Sequence, residues 1–312
     1  MQMEETVLTF KVIGDNAGYA YIDLGQASSI VNRKLMRQQG LWEVRGVQLY
    51  ADVEELGTAD RVGLPYTVSM SGAPRNWVTR NSLVKAYHAW IDQQKLALKA
   101  AGSRDIKPRW QDFKVLLNDS HRTTGNLIPV SGHMFGNTNP YLEGEWHYSR
   151  IVWEEVDGAG AVDQEEPQLC ILGDDNLPQT VGLINQYSIS RAFPIVPDLP
   201  ATLPDNIYTQ SSEALSAQVE EITDNLMVEN NHPPYDSDDY PGGADNGHDP
   251  LLFGFVANGS LGNSTFGRKT TMNGFAAPNG LIEVQYNLQY DNQLYDNPEL
   301  WLQVVVGRRS DY

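Results

Sequence analysis

The feature that most constrains this chain is the recurrence of short alternating segments cut apart by turn residues. LIEVQYNLQ (281–289) puts Ile282, Val284, Tyr286 and Leu288 on one side of an extended chain and Glu283, Gln285 and Asn287 on the other. LWLQVVVG (300–307), ETVLTFKV (5–12), GYAYIDL (18–24), residues 41–53, GLPYTVSMSG (63–72) and LLFGFVA (251–257) have similar strand character. WQDFKVLL (110–117), EWHYSRIVWEEV (145–156), QLCILG (168–173) and TVGLINQYSI (180–189) extend the series. Period-two segments bury one face each, so they need a partner sheet.

Two stretches break the rhythm with a helical period. One spans about 79–101, where Leu83, Tyr87, Trp90 and Leu98 share a face and Gly102 is a stop. The other spans about 211–228, with Leu215, Val219, Ile222 and Leu226 in register and Ser211 or Ser212 as cap. The strand–helix alternation of a parallel α/β sheet is missing. The expectation is a mainly β fold: an antiparallel jelly-roll-type β-sandwich with two inserted helices, over residues 1–312 as a single domain. The segment 228–250 is too rich in Pro, Gly and Asp for regular structure and reads as a projecting or interface loop.

Charge narrows the function classes. The net charge is −18, unevenly spread. Residues 1–122 hold 16 Lys/Arg against 13 Asp/Glu; residues 123–312 hold 6 against 27. So acidic a chain does not coat DNA or an anionic membrane over its whole surface, but it can present two different faces. The lone Cys170 lies in an apolar run and reads as a buried small hydrophobe. No apolar run approaches the roughly 20 residues of a membrane span, and the acidic N-terminus is not a signal peptide, so the sequons at Asn118, Asn258 and Asn263 read as chance.

No motif marks a catalytic centre. LCILGDDN (169–176) resembles the Gly-Asp-Asp turn of template-directed polymerases, but Pro140 and Gly144 follow SGHMFGNTN where a helix should begin. Asp174 and Asp175 therefore read as a solvated turn. PYDSDD within the acidic 236–249 loop faintly resembles a Ca²⁺ loop but lacks its sixth-position Gly and twelfth-position Glu. Ca²⁺ is the one cofactor weighed there; the expectation is no catalytic residue, no metal ligand set and no enzyme activity. The six histidines show no ligand spacing.

The exception to the acidity is SSIVNRKLMRQQG, with Arg33, Lys34 and Arg37, followed by Arg45. If Ser28 or Ser29 caps a helical turn, Arg33 and Arg37 share a face. Three readings stand: a solvated turn, pairing with the acidic half of a neighbouring copy, or phosphate contact with nucleic acid.

The order of segments carries a resemblance. YIDLGQASSIVNRKLMRQQGLWEVRGVQL (21–49), NWVTRNSLVKAYHAW (76–90), KPRWQDFKVLL (107–117), GEWHYSRIV (144–152), NQYSISRAFP (185–194) and MVENNHPPYDSDDYPGG (227–243) resemble, in order, segments of capsid proteins of small circular single-stranded DNA viruses of environmental and marine type. The likeness spans roughly 20–290. It implies a jelly-roll virion subunit, made in the host cytoplasm or nucleus, that self-assembles in many copies into an icosahedral shell around single-stranded DNA, without a membrane. Arg33, Lys34, Arg37 and Arg45 then serve genome or inter-subunit electrostatics, and Tyr87, Trp90, Trp146, Tyr235 and Tyr240 are interface candidates beside loop residues Tyr141 and Tyr148. Such proteins often carry a basic N-terminal arm. Here the first ten residues hold two Glu and no Lys or Arg, so the 31–45 region is left to line the interior unless another component handles genome charge. The rivals are a receptor- or carbohydrate-binding sandwich module such as a phage spike, and a glycan-active enzyme with two carboxylates about 5–10 Å apart.

Overall fold

A computed structural model describes residues 6–54, 61–102, 110–131, 139–156, 162–173, 175–190, 250–258, 269–288 and 297–310. The elements run β1 (Thr6–Ile13), β2 (Ala17–Asp23), α1 (Leu24–Asn32), β3 (Leu41–Glu54), β4 (Arg61–Gly63), β5 (Tyr66–Gly72), α2 (Trp77–Ala100) and α3 (Asp119–Thr124). Short strands β6 (Val130–Ser131), β7 (Asn139–Pro140), β8 (Trp153–Val156), β9 (Val162–Glu165), β10 (Gln168–Cys170) and β11 (Thr180–Gly182) follow. After α4 (Leu183–Ile189) come β12 (Leu251–Asn258), β13 (Thr270–Pro278), β14 (Leu281–Asn287) and β15 (Glu299–Ser310).

Two antiparallel sheets pack face to face. The first has the order β1-β15-β3-β13, with β4 pairing β3; the second has the order β12-β5-β14-β2. When β1, β2, β3, β5, β12, β13, β14 and β15 are numbered one to eight along the chain, the orders are 1-8-3-6 and 2-7-4-5. The pairs 1–8, 2–7, 3–6 and 4–5 are those of one long hairpin folded at its middle. The pairs 8–3 and 7–4 roll that hairpin into two layers. Strands β5 and β12 pair directly, so everything from Ala73 to Pro250 is inserted at the hairpin's tip.

The alternation explains the packing. Leu8 and Phe10, Leu302 and Val304, and Val47 and Leu49 face Ile22, Val68, Met70, Ile282 and Val284 across one apolar core. Asn279 and Gly280 turn β13 into β14, both with positive φ (53° and 67°), as the Asn-Gly hairpin preference requires. A Cβ on Gly280 would lie 3.0–3.1 Å from Trp42 and Leu24.

A second apolar cluster belongs to the insertion. Leu83 and Trp90 of α2 pack with Phe113, Val115, Leu117, Leu169, Ile171 and Ile184, and the sandwich contributes Tyr21 and Leu281. Helix α2 begins where the side chain of Asn76 accepts from Thr79 N at 2.9 Å.

Several sequence expectations are corrected here. TVGLINQYSI is a strand only to Gly182; α4 takes the rest, because Asp175 accepts from Gly182 N (3.1 Å) and Gln186 Nε2 (2.6 Å), anchoring the start of that helix. Asp175 is thus a half-buried anchor and not a solvated turn residue. Helix α1 starts one residue after Asp23, which caps it, and not at Ser28 or Ser29. Strand β13 had no sequence signal strong enough to be anticipated. The expected helix at 211–228, the loop 228–250 with its acidic 236–249 stretch, Tyr235, Tyr240 and Asp174 lie outside the described residues.

Candidate functional site at the sandwich–insertion junction

Residues 113–118 are buried without a break, yet they form no regular strand. Their backbone groups still need partners, because an unpaired buried amide costs about as much as a lost hydrogen bond. Backbone partners come from the chain 169–172, where Leu116 N donates to Leu169 O, Ile171 N to Leu116 O and Leu172 N to Leu117 O, and from Ser149 N, which donates to Lys114 O. Side chains supply the rest. Gln38 stands in for a neighbouring strand, its Oε1 accepting from Val115 N (2.7 Å) and its Nε2 donating to Val115 O (2.8 Å). Ser149 Oγ accepts from Lys114 N, and His121 Nδ1 accepts from Leu117 N.

The same Gln38 amide also donates to Asp23 Oδ2 at 3.0 Å. Asp23 is buried and collects donors from three parts of the chain. Gly25 N and Gln26 N reach Oδ1 from α1, while Trp146 Nε1 (3.1 Å) and Tyr148 Oη (3.2 Å) reach Oδ2 from the insertion. Burial raises its pKa to about 6, against the lowering effect of those hydrogen bonds. At neutral pH the carboxylate is therefore ionised and acts only as acceptor, which matches a ring of five donors.

A directed chain of hydrogen bonds feeds it. Nδ1 of His121 accepts from Leu117 N, so the ring proton is on Nε2 and is donated to Asn126 Oδ1. The Asn126 amide donates to Tyr148 Oη and to Gln26 Oε1, each at 2.6 Å. Burial pushes the His121 pKa down to about 4, keeping the ring neutral. Tyr21 stacks on it, with centroids 4.6 Å apart, and donates to Glu283 Oε2, which also accepts from Asn118 Nδ2. This network ties α1, β2, β14 and the insertion together. Its members hold one another in position.

The sequence-singled basic residues separate. Arg33 closes α1 in the left-handed conformation (φ 51°), so the helical face expected to carry Arg33 and Arg37 does not form. Arg37 lies 3.8 Å from Asp112. Arg45 stands on β3, 3.9 Å from Glu43. Trp90, expected at an interface, is only 8% exposed and packs on Phe113, because a wide aromatic at the centre of the helix face fills the second core. Tyr87 is half-buried against the same Phe113, Tyr141 is half-buried, and Trp146 is the Asp23 donor. Burial pushes the Cys170 thiol up to about 12 and its Sγ–H donates to Val181 O, the behaviour of a packing residue.

Comparisons with family models, characterised proteins and solved structures return no match. No helix among the described residues is long and apolar enough to cross a membrane.

The sequence analysis missed Asp23, Gln38, Asn126 and Glu283. Asp23 had a legible signal, an Asp immediately before LGQASS, in the position of an N-cap. Gln38 had none: its role exists only because Val115 lies opposite it, 77 residues away.

Proposed function

We propose that the chain is a structural subunit, a jelly-roll capsid protein whose copies close into an icosahedral shell around single-stranded DNA. The observation that carries this reading is the pairing order. The 1-8-3-6 and 2-7-4-5 orders are those that rolling an eight-strand hairpin would produce, which supports a jelly-roll reading of the sandwich. The segment resemblance points the same way.

The sheet edges support self-association. The β2 edge is covered, since Leu127 N donates to Tyr21 O. The β12 edge carries exposed Leu251, Leu252 and Phe255, and the β1 edge carries exposed Val7 and Ile13. Apolar edge strands with no pairing partner among the described residues are templates for association, and neighbouring copies in a shell would cover them.

Light-scattering mass and negative-stain electron microscopy, at low and moderate salt with and without Ca²⁺, test the reading. Closed particles of uniform diameter are expected, and Phe255→Lys with Leu252→Lys should cut their yield at least tenfold. A monomer or trimer under every condition would sink the shell and favour a binding module.

A further inference from the structure

Two of the basic side chains, separated from Arg37 and Arg45, meet a third in a cleft. A cavity of about 330 Å³ lies between the end of α1 and the segment 142–146, with Arg33, Lys34, Lys114, Trp110, Glu145 and Trp146 in its walls. A neighbouring cleft of about 510 Å³ shares Trp110, Lys114 and Glu145 with it. Both are within the roughly 300–1,000 Å³ of small-ligand sites.

Lys114 is the observation that asks for a ligand. The residue is 5% exposed. Its ammonium lies 4.7 Å from the Trp146 ring centroid, and among the described residues no hydrogen bond or ion pair reaches it. Burying an ammonium with only a ring face against it is costly, and such groups concentrate at binding sites. Burial lowers its pKa, opposed by the Asp112, Asp23 and Glu145 carboxylates. Arg33 and Lys34 are also without side-chain partners among the described residues. The one carboxylate in the wall, Glu145, is exposed and lies 3.3 Å from His147. In the wall itself three cations face one carboxylate; behind Lys114, Asp112 is paired with Arg37 and Asp23 is taken up by its own donors, so the cleft keeps an excess of positive charge.

The aromatic residues narrow the anion. Trp110 is 64% exposed and Leu142, at the same cleft, is 94% exposed. Cations alone accept any anion, whereas a solvent-exposed indole beside them adds a surface for a flat ring. Base stacking on an aromatic beside basic groups is a recurrent way of holding a nucleotide, because every base has a flat face. We propose that this cleft binds a nucleotide, with its base against Trp110 and its phosphate held by Arg33, Lys34 and Lys114. The inference stands on the cleft alone, whatever the chain assembles into.

The test is a tryptophan-fluorescence titration of the full chain with thymidine 5′-monophosphate, oligothymidylate, inorganic phosphate and polyglutamate. Saturable quenching by a thymidine ligand is expected, with inorganic phosphate at least tenfold weaker. Arg33→Gln with Lys34→Gln, both exposed positions, should weaken binding at least tenfold and reduce the salt slope by about 1–2. Lys114→Met, which keeps the buried stem, should weaken it as well, and Trp110→Ala should remove most of the quenching. Tighter binding of the strand than of the monophosphate identifies a strand as the source; equal affinity identifies a free nucleotide. The proposal is overturned if neither thymidine ligand saturates, if folded variants bind as the parent does, or if polyglutamate competes equally well, which would make this a contact for another protein's acidic surface. Light scattering of the same samples keeps the two proposals apart: particles without quenching sink only the cleft, and quenching without particles sinks only the shell.

Discussion

The sandwich and the insertion solve the same problem by different means. In the sandwich, backbone groups pair in ladders such as the eight-residue register of β1 with β15, and side chains are left free to fill one apolar core. In the insertion, residues 113–118 are as deeply buried, but single side chains (Gln38, Ser149 and His121) complete the backbone pairing. A ladder spreads its energy over many equivalent bonds, whereas a side-chain substitute concentrates it in one residue. The sandwich should therefore fail globally, through apolar volume, and the junction should fail locally, through individual polar groups.

The largest effect tests the first half. Trp42 is fully buried against both sheets and its Nε1 donates to Gln38 O. Trp42→Ala should cost about 3–5 kcal/mol, read as a lower denaturation midpoint shared by every probe. A midpoint that moved only for insertion probes would break the comparison.

A smaller and more local loss is expected at Gln38. Gln38→Leu keeps the packing but strands Val115 N–H and C=O and removes a donor from Asp23. Unpaired buried groups of this kind cost about 1–3 kcal/mol each. Hydrogen exchange should quicken at 113–118 and at the start of α1 while the β5–β12 amides keep their protection. Uniform loss of protection across the sandwich would show the two regions to be one cooperative unit.

The smallest effect in the parent protein is one of cancellation. Asp23 has a raised pKa, so its stabilising contribution is present below its ordinary value near 3.8 and is lost as pH rises through about 6. His121 has a lowered pKa, so its contribution is present above its ordinary value near 6.5 and is lost as pH falls through about 4. Over pH 4–6 the two slopes oppose, and stability should be nearly flat. Removing either partner exposes the other: Asp23→Asn should lose stability toward acid, and His121→Gln should gain it, each by roughly 2–3 kcal/mol across the window. Denaturation midpoints at pH 4, 5, 6 and 7 decide this, and parallel curves for parent and variants would remove the junction from the acid response.

The division between what was legible in the sequence and what was not follows the same line. The strands of the sandwich, the antiparallel class and helix α2 were readable from 5–12, 41–53, 281–289 and 79–101, because alternation and helical period are properties of neighbours in the chain. Their ends were less so: at TVGLINQYSI the apolar run suits strand or helix equally, and Asp175, folded back from outside the run, decided for the helix. The roll of eight strands into two layers came from pairings between distant segments, β1 with β15 and β2 with β14. Arg33, Lys34, Arg37 and Arg45 stood out by charge, but only the left-handed turn at Arg33 and the positions of Asp112 and Glu43 sorted them into cleft cations and ion-paired surface. Local pattern fixes which face of a segment seeks burial. What it is buried against, and which polar groups must then be paired, depends on contacts that exist only once the chain has closed on itself.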